Sequence, residues 1–225
     1  MSAMSDTPRL WTFSTSPFAG KVRVAFAEKG LELELHEIHP ASRPARLREL
    51  TPIGRVPVLE VPGAPPIFES SVICEWLEDT HPEPPLWPAD PGLRGWARAW
   101  AKWIDDHVTA NYFLGMRKLA FGKAPDDPED ITEQLHAKCV KRLATLEPVL
   151  AQHDGPYLCG DAFTLADVGA MPVAARLPAW TPHLVEAVDA LPAVSAWFAA
   201  LRDRPTAAAL DAKGDPVHRA EPTPA

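Results

Sequence analysis

The chain has 225 residues and a net charge of −8 at pH 7, and 46% of its residues are hydrophobic. This length suits one large or two small domains with a globular core. The acidic balance argues against a nucleic-acid partner, and no uncharged apolar run reaches the roughly 18 residues of a membrane span. The three cysteines are far apart and form no metal-ligand or redox spacing, so we expect no metal site and a cytoplasmic location.

The first part of the chain alternates strand and helix patterns. Residues 10–13 are short and apolar, which predicts a buried strand. Pro17 suits the first position of a helix that Gly30 ends, with Lys21 on the polar face. Leucines alternate with polar residues over 31–35, which predicts a second strand, parallel to the first.

The next segments complete a small mixed sheet. Residues 44–50 predict a short polar helix, and 55–61 and 67–68 predict two antiparallel strands because their link is too short for a crossover. Ser70 is predicted to be the N-cap of the following helix. Residues 9–81 therefore predict a βαβ–ββα domain.

A change of composition then separates two domains. Residues 82–92 are rich in proline and predict a linker. The strand patterns end there, and residues 93–210 predict an all-helical domain, followed by a flexible tail over 211–225. Thr164 and Asp167 match a capping box, which we assign to folding rather than catalysis.

Four aromatic side chains lie on one face of the first helix after the linker. They are Trp96, Trp100, Trp103 and His107. Packing in the core or between domains is the favoured interpretation, and a binding stripe is the alternative.

Three hydroxyl residues, Ser14, Thr15 and Ser16, stand directly before Pro17. One interpretation is an N-cap, in which a hydroxyl accepts a hydrogen bond from a free backbone N–H. The other is that the helix N-terminus, with its partial positive charge, stabilises an anion such as a thiolate.

Four segments together resemble the glutathione S-transferase superfamily. They are Ser-Pro-Phe-Ala-Gly-Lys-Val-Arg at 16–23, Gly-Arg-Val-Pro-Val-Leu at 54–59, Glu69-Ser70, and residues 160–167. The resemblance implies an α/β thioredoxin-like N-terminal domain (βαβ–ββα) followed by an all-α helical bundle. The first segment is most similar to the serine-type classes, tau especially. It lacks the Ser-Ser-Cys run of the zeta class, which disfavours maleylacetoacetate isomerisation.

The resemblance implies glutathione as co-substrate, with Ser16 donating its O–H to the sulfur and Ser14 or Thr15 as rivals. It also implies residues that contact the other parts of glutathione. Glu69 would bind the γ-glutamyl ammonium, Ser70 the γ-glutamyl carboxylate, and Val56, before a cis Pro57, the cysteinyl backbone. Arg55 is placed to meet the glycyl carboxylate, with His39 or Arg43 as alternatives. Ser16 and Ala19 occupy the Cys-x-x-Cys positions of the thioredoxin-like ancestor, so glutaredoxin-like, omega-like and dehydroascorbate reductase activities are disfavoured.

The resulting hypothesis is an enzyme that conjugates glutathione to a small hydrophobic electrophile. Dehalogenation, ether cleavage and peroxide reduction are related chemistries on the same frame. The electrophile site is expected between the domains, with ordinary helix packing as the alternative for most of its candidates: Phe18, Tyr112, Phe113, Met116, Arg117 and Trp180. A catalytically silent regulatory protein of the stringent-starvation type is the rival function. The family is usually homodimeric.

Overall fold

The structure, a computed structural model, describes residues 7–39, 44–122, 125–181, 184–213 and 215–216. It divides into two compact units, Met1–Pro84 with Ala208–Ala225, and Pro85–Ala207. The first contains a small mixed sheet with helices and the second is helical, which confirms the predicted fold class. No helix in the described parts is both long and apolar enough to cross a membrane.

The first unit contains the elements that the sequence predicts and one further strand. Its elements are β1 (Arg9–Thr12), α1 (Pro17–Glu28), β2 (Glu34–Glu37), α2 (Ala45–Leu50), β3 (Val58–Glu60), β4 (Ile67–Phe68), α3 (Ser70–Thr80) and β5 (Asp215–Pro216). From β1 to α3 they follow the order that the sequence predicts, and β5 is an addition that the sequence does not predict. The order in the sheet is β4-β3-β1-β2-β5. β1 and β2 are parallel, whereas β3 is antiparallel to both β1 and β4, so the crossover and the hairpin are both confirmed.

Helix α1 begins and ends where its sequence indicates. Ser16 is the N-cap, Pro17 is the first helical residue, and Gly30 follows the helix at a φ of 65°, which glycine adopts without strain. Lys21, expected on the polar face, is instead buried, and its Nζ donates to Ser71 Oγ on α3 at 3.0 Å. The periodicity of α1 could not show this because the partner lies fifty residues away.

The two faces of the sheet are covered by different helices. Trp11 packs with residues of α2, in a buried cluster made of Trp11, Ile38, Leu47, Leu50 and Val58. Leu10, its neighbour on β1, points to the opposite face because side chains alternate along a strand. α1 and α3 pack against each other.

The second unit consists of helices. They are α4 (Pro91–Ile104), α5 (Ala110–Phe121), α6 (Ile131–Leu150), α7 (Leu165–Trp180), α8 (Val185–Asp189) and α9 (Pro192–Asp203), and a π-helical turn (Asp105–Thr109) joins α4 to α5. A 3₁₀ helix (Pro205–Asp211) follows α9, and its residues from Ala208 onward belong to the first unit. Residues 82–90 form neither helix nor strand. The capping box is confirmed: the Thr164 N–H donates to Asp167 Oδ2 at 2.9 Å, and Thr164 Oγ1 caps α7.

The tryptophans of α4 are not core residues. Its buried residues are Ala97, Ala101 and Ile104. Trp96 is 39% exposed, and the four aromatic rings form an edge-to-face ladder with centroids 5.4 to 6.0 Å apart. Core packing is therefore wrong for Trp96, because small residues occupy the buried face of α4, which packs against α7. Packing between domains, the other half of that prediction, stays a prediction.

The C-terminal end departs from the expected boundaries. Residues from Ala208 onward group with the first unit, whereas the sequence predicts 93–210 as the second domain. Within the expected tail, 211–225, β5 pairs in parallel with β2. A polar, proline-rich composition does not reveal such pairing, because it depends on a free strand edge elsewhere in the fold. Residues 217–225 lie outside the described residues.

Candidate active site

Three segments that the sequence singles out lie at one end of the sheet. Trp11 on β1 faces Val58 on antiparallel β3, so the turn after β1 and the residues before β3 are at the same end. Phe68 on β4 also faces Val58, so α3 begins at this end too. We call this end the site edge.

The turn after β1, residues 13–16, is held on both sides. It is closed by a hydrogen bond from the Ser16 N–H to Phe13 O at 3.0 Å. The Ser14 N–H donates to Glu37 Oε1 at 2.8 Å, and Arg23 Nη2 donates to the Ser14 carbonyl at 2.9 Å. The three hydroxyl residues therefore stand on a fixed turn directly before α1.

The three hydroxyls differ in accessibility. Ser16 is 1% exposed, and its Oγ accepts from the Ala19 N–H at 3.2 Å. The N-cap interpretation of Ser16 is therefore confirmed. Capping uses a lone pair of the oxygen and leaves the O–H proton for donation. Ser14 is half-buried and Thr15 is exposed.

The segment before β3 carries a cis peptide bond between Val56 and Pro57, as the resemblance implies. Pro57 is buried, and Val56 packs against the cluster around Trp11. Arg55 precedes this bond and is exposed. His39, two residues after β2, is also exposed, whereas Arg43 lies outside the described residues.

The start of α3 differs from the prediction by one residue. Glu69, not Ser70, is the N-cap, and Ser70 is the first helical residue. The cause is the backbone of Glu69, whose φ of 69° and ψ of 117° are not helical. Its carbonyl accepts from the Ile73 N–H at 2.9 Å, while its side chain is exposed. A non-glycine residue at positive φ costs about 1–3 kcal/mol, and such residues cluster at ligand sites.

The site edge contains groups that can stabilise an anion. Two helices begin there, and neither has an acidic residue in its first turn, although the Glu69 carboxylate stands at the N-cap of α3 and the Glu37 carboxylate accepts from the Ser14 N–H. Helix N-termini carry partial positive charge and unpaired N–H groups. The buried Lys21 ammonium adds a full charge beside the start of α3, through its bond to Ser71. Among the described residues, no group of three metal-ligating side chains is present.

The candidates for the electrophile site are spread along the chain. Phe18 is half-buried on α1 of the first unit. Tyr112, Met116 and Arg117 lie on α5 of the second unit, where Tyr112 is buried and the Arg117 guanidinium stacks on the Phe113 ring at 5.9 Å. Burial raises the pKa of the Tyr112 hydroxyl, which keeps it protonated. The Trp180 side chain lies outside the described residues.

The sequence does not indicate that two residues, Glu37 and Arg23, hold the turn 13–16. Glu37 ends β2, and Arg23 lies within α1. One local signal for Arg23 exists: it is a charged residue between two apolar ones, Val22 and Val24, which are both buried. Nothing in the sequence indicates which backbone groups these side chains reach.

Comparison with known proteins places the chain in a family. The family models "Glutathione S-transferase, N-terminal domain" and "Glutathione S-transferase, C-terminal domain" match residues 10–85 and 111–205. A glutathione S-transferase from Methylobacterium radiotolerans, crystallised with glutathione sulfonate, is 31% identical, with 97% of this chain and 99% of that chain covered and a TM-score of 0.72. This chain belongs to the glutathione S-transferase family.

Curated relatives of this glutathione S-transferase carry different activities in their names. A probable maleylacetoacetate isomerase from Caenorhabditis elegans is 33% identical over 75% of this chain and 78% of its own length. A stringent starvation protein A homolog from Coxiella burnetii is 31% identical over 74% of both. Membership of the family therefore leaves the substrate class open.

Proposed function

We propose that the protein binds glutathione at the site edge and conjugates its sulfur, as the thiolate, to a small hydrophobic electrophile. The observation that carries the proposal is the convergence of two helix N-termini, the turn 13–16 and the Val56–Pro57 segment at one end of the sheet. Glutathione has two carboxylates and one ammonium, and its thiol needs stabilisation as an anion to react.

The γ-glutamyl end of glutathione fits the start of α3. The Ser70 N–H and hydroxyl, in the first turn of α3, suit the carboxylate. The exposed Glu69 carboxylate suits the ammonium. The positive φ of Glu69 is the local feature that favours a ligand role for this residue pair.

The remaining contacts involve the middle and the glycyl end. Val56, before the cis bond, offers its backbone to the cysteinyl backbone. Arg55 and His39 are exposed candidates for the glycyl carboxylate. Ser16, with Ser14 and Thr15 as its rivals, donates to the sulfur, and the start of α1 lowers the thiol pKa from about 8.5.

The proposal extends to the second substrate and to assembly. Phe18, Tyr112, Met116, Arg117 and Trp180 remain the residues proposed for the electrophile, and a homodimer remains the proposed assembly. A panel of small electrophiles with free glutathione tests the activity, and sedimentation velocity tests the assembly.

A second candidate is a catalytically silent regulatory protein. The similarity to the stringent starvation protein A homolog favours it. Retention on immobilised glutathione separates the two, because the enzyme must bind glutathione. A chain that is not retained and is inactive with every electrophile would leave the silent function as the better account.

Replacing Ser70 with alanine is expected to weaken glutathione binding about tenfold, because a hydrogen bond to a charged group is lost. Isothermal titration calorimetry measures the change in Kd. Thr80→Ala is the matched control, since Thr80 Oγ1 bonds to the Trp76 carbonyl at the other end of α3. Equal Kd values for Ser70→Ala and Thr80→Ala would exclude Ser70 from the site.

A further inference from the structure

We propose that Arg23 is a positioning residue through which the C-terminal segment, residues 208–211, holds the turn 13–16 in place for thiolate stabilisation. This inference rests on the proposed function. It adds a part of the chain distant in sequence to the thiol site, and it gives that part a defined task.

The first half of the link is the contact of Arg23 with the turn. The guanidinium is buried, with the residue only 3% exposed. Its Nη2 donates to the Ser14 carbonyl at 2.9 Å, and its Nη1 donates to Thr12 Oγ1 at 2.7 Å. Arg23 therefore holds the end of β1 and the turn that follows it.

The second half is the contact with the C-terminal segment. Arg23 Nε donates to the Ala209 carbonyl at 2.9 Å, and Nη2 also donates to the Leu210 carbonyl at 2.9 Å. Leu210 is itself buried, so its side chain anchors the two carbonyls. One planar group thus bridges backbone atoms that are nearly two hundred residues apart in sequence.

The chemistry of the guanidinium explains why the two halves depend on each other. It is a rigid fork of N–H donors that keeps its charge, and a buried charge must keep its acceptors. If the two C-terminal carbonyls move away, the guanidinium turns or draws in water, and its bond to the Ser14 carbonyl weakens. A lysine ammonium cannot reproduce the planar set of bonds.

The consequence for catalysis follows from the position of the turn. The three hydroxyls and the start of α1 act on the sulfur only at hydrogen-bond distance. A displacement of about 1 Å in such a group can lower a rate on the order of a hundredfold. Loosening the C-terminal segment should therefore raise the pKa of the bound thiol.

Three full-length variants test the inference. Arg23→Lys keeps the charge but loses the planar fork, and Leu210→Ala loosens the anchor while Arg23 stays intact. Lys29→Gln is the matched control, because Lys29 is a buried cation at the other end of α1 whose Nζ pairs with Glu78 on α3 and donates to the Pro84 carbonyl at 2.7 Å, rather than to the turn. If one variant does not fold, the other still decides.

Two readouts separate this inference from the proposed function. Amide hydrogen exchange of Ser14 and Ser16, measured without glutathione, should be faster in Arg23→Lys and Leu210→Ala and unchanged in Lys29→Gln. With glutathione saturating, the acid limb of the pH profile of kcat/KM for the electrophile reports the pKa of the bound thiol. It should move up by about 1 pH unit in the same two variants.

Each outcome decides a separate point. Unchanged exchange in both test variants would overturn the link between the C-terminal segment and the turn. Faster exchange with an unchanged pH profile would overturn the role in thiolate stabilisation. If the parent protein does not bind glutathione, the proposed function fails, while the exchange rates still decide whether the link exists.

Discussion

Replacing Asp167 with alanine is expected to lower the free energy of unfolding of the second unit by about 3–5 kcal/mol. The carboxylate is fully buried and accepts from the Leu158 N–H at 2.9 Å, from Trp197 Nε1 at 2.8 Å, and from both the N–H and the hydroxyl of Thr164 at 2.9 Å. Alanine would leave three N–H donors buried without an acceptor. Urea unfolding followed by circular dichroism measures the loss.

Burial raises the pKa of the Asp167 carboxyl, and the bonds it accepts counteract part of that shift.

The control is Asp130→Ala, since Asp130 is exposed and its Oδ1 accepts only from Gln134 Nε2 among the side-chain bonds of the described residues. This change should cost less than about 0.5 kcal/mol. If Asp167→Ala cost as little, the capping box would not be central to the folding of this unit.

Replacing Ser16 with alanine is expected to lower kcat/KM at least about tenfold, because a hydrogen bond to a charged sulfur contributes about 1.5–3 kcal/mol. The same change removes the N-cap of α1, so the free energy of unfolding should fall by about 1 kcal/mol. Steady-state kinetics with a test electrophile and thermal unfolding measure the two effects.

The pH dependence has a defined sign. Loss of a donor to the thiolate raises the thiol pKa, so the deficit of Ser16→Ala should shrink as the pH rises. Ser16→Thr retains the hydroxyl and should keep most of the activity. Full activity in Ser16→Ala together with a tenfold loss in Ser14→Ala would transfer the role to Ser14, which is the more accessible of the two.

The elements of the first unit were predictable because their signals are local. Pro17 marks the start of α1 and Gly30 its end, and the short link between β3 and β4 permits only an antiparallel pair. The capping box of α7 was predictable for the same reason, since Thr164 and Asp167 are three residues apart.

Predictions that depended on knowing which residues are buried were wrong at Lys21 and Trp96. The charge of Lys21 predicts a surface position, but the residue is buried against α3. The size and hydrophobicity of Trp96 predict a core position, but its side chain is exposed because alanines occupy the buried face of α4. Charge and hydrophobicity assign a face only when the neighbouring element is known, and the neighbour is set by the whole fold.

The candidate site shows the same division. The sequence indicates hydroxyls before Pro17 and a polar pair at Glu69-Ser70, and the strand order brings them to one edge. No local pattern indicates that Arg23 joins the turn 13–16 to the C-terminal segment.

The sequence by itself determined the order of the elements from β1 to α3, which fold class they form, and which polar residues stand near helix starts. It could do so because caps, breakers and periodicity act over a few neighbouring residues. Only the tertiary structure decided that Ser16 is buried while Ser14 is more accessible, and that residues 208–211 contact the first unit. Such contacts join segments far apart in the chain, and their geometry exists only once both segments are packed.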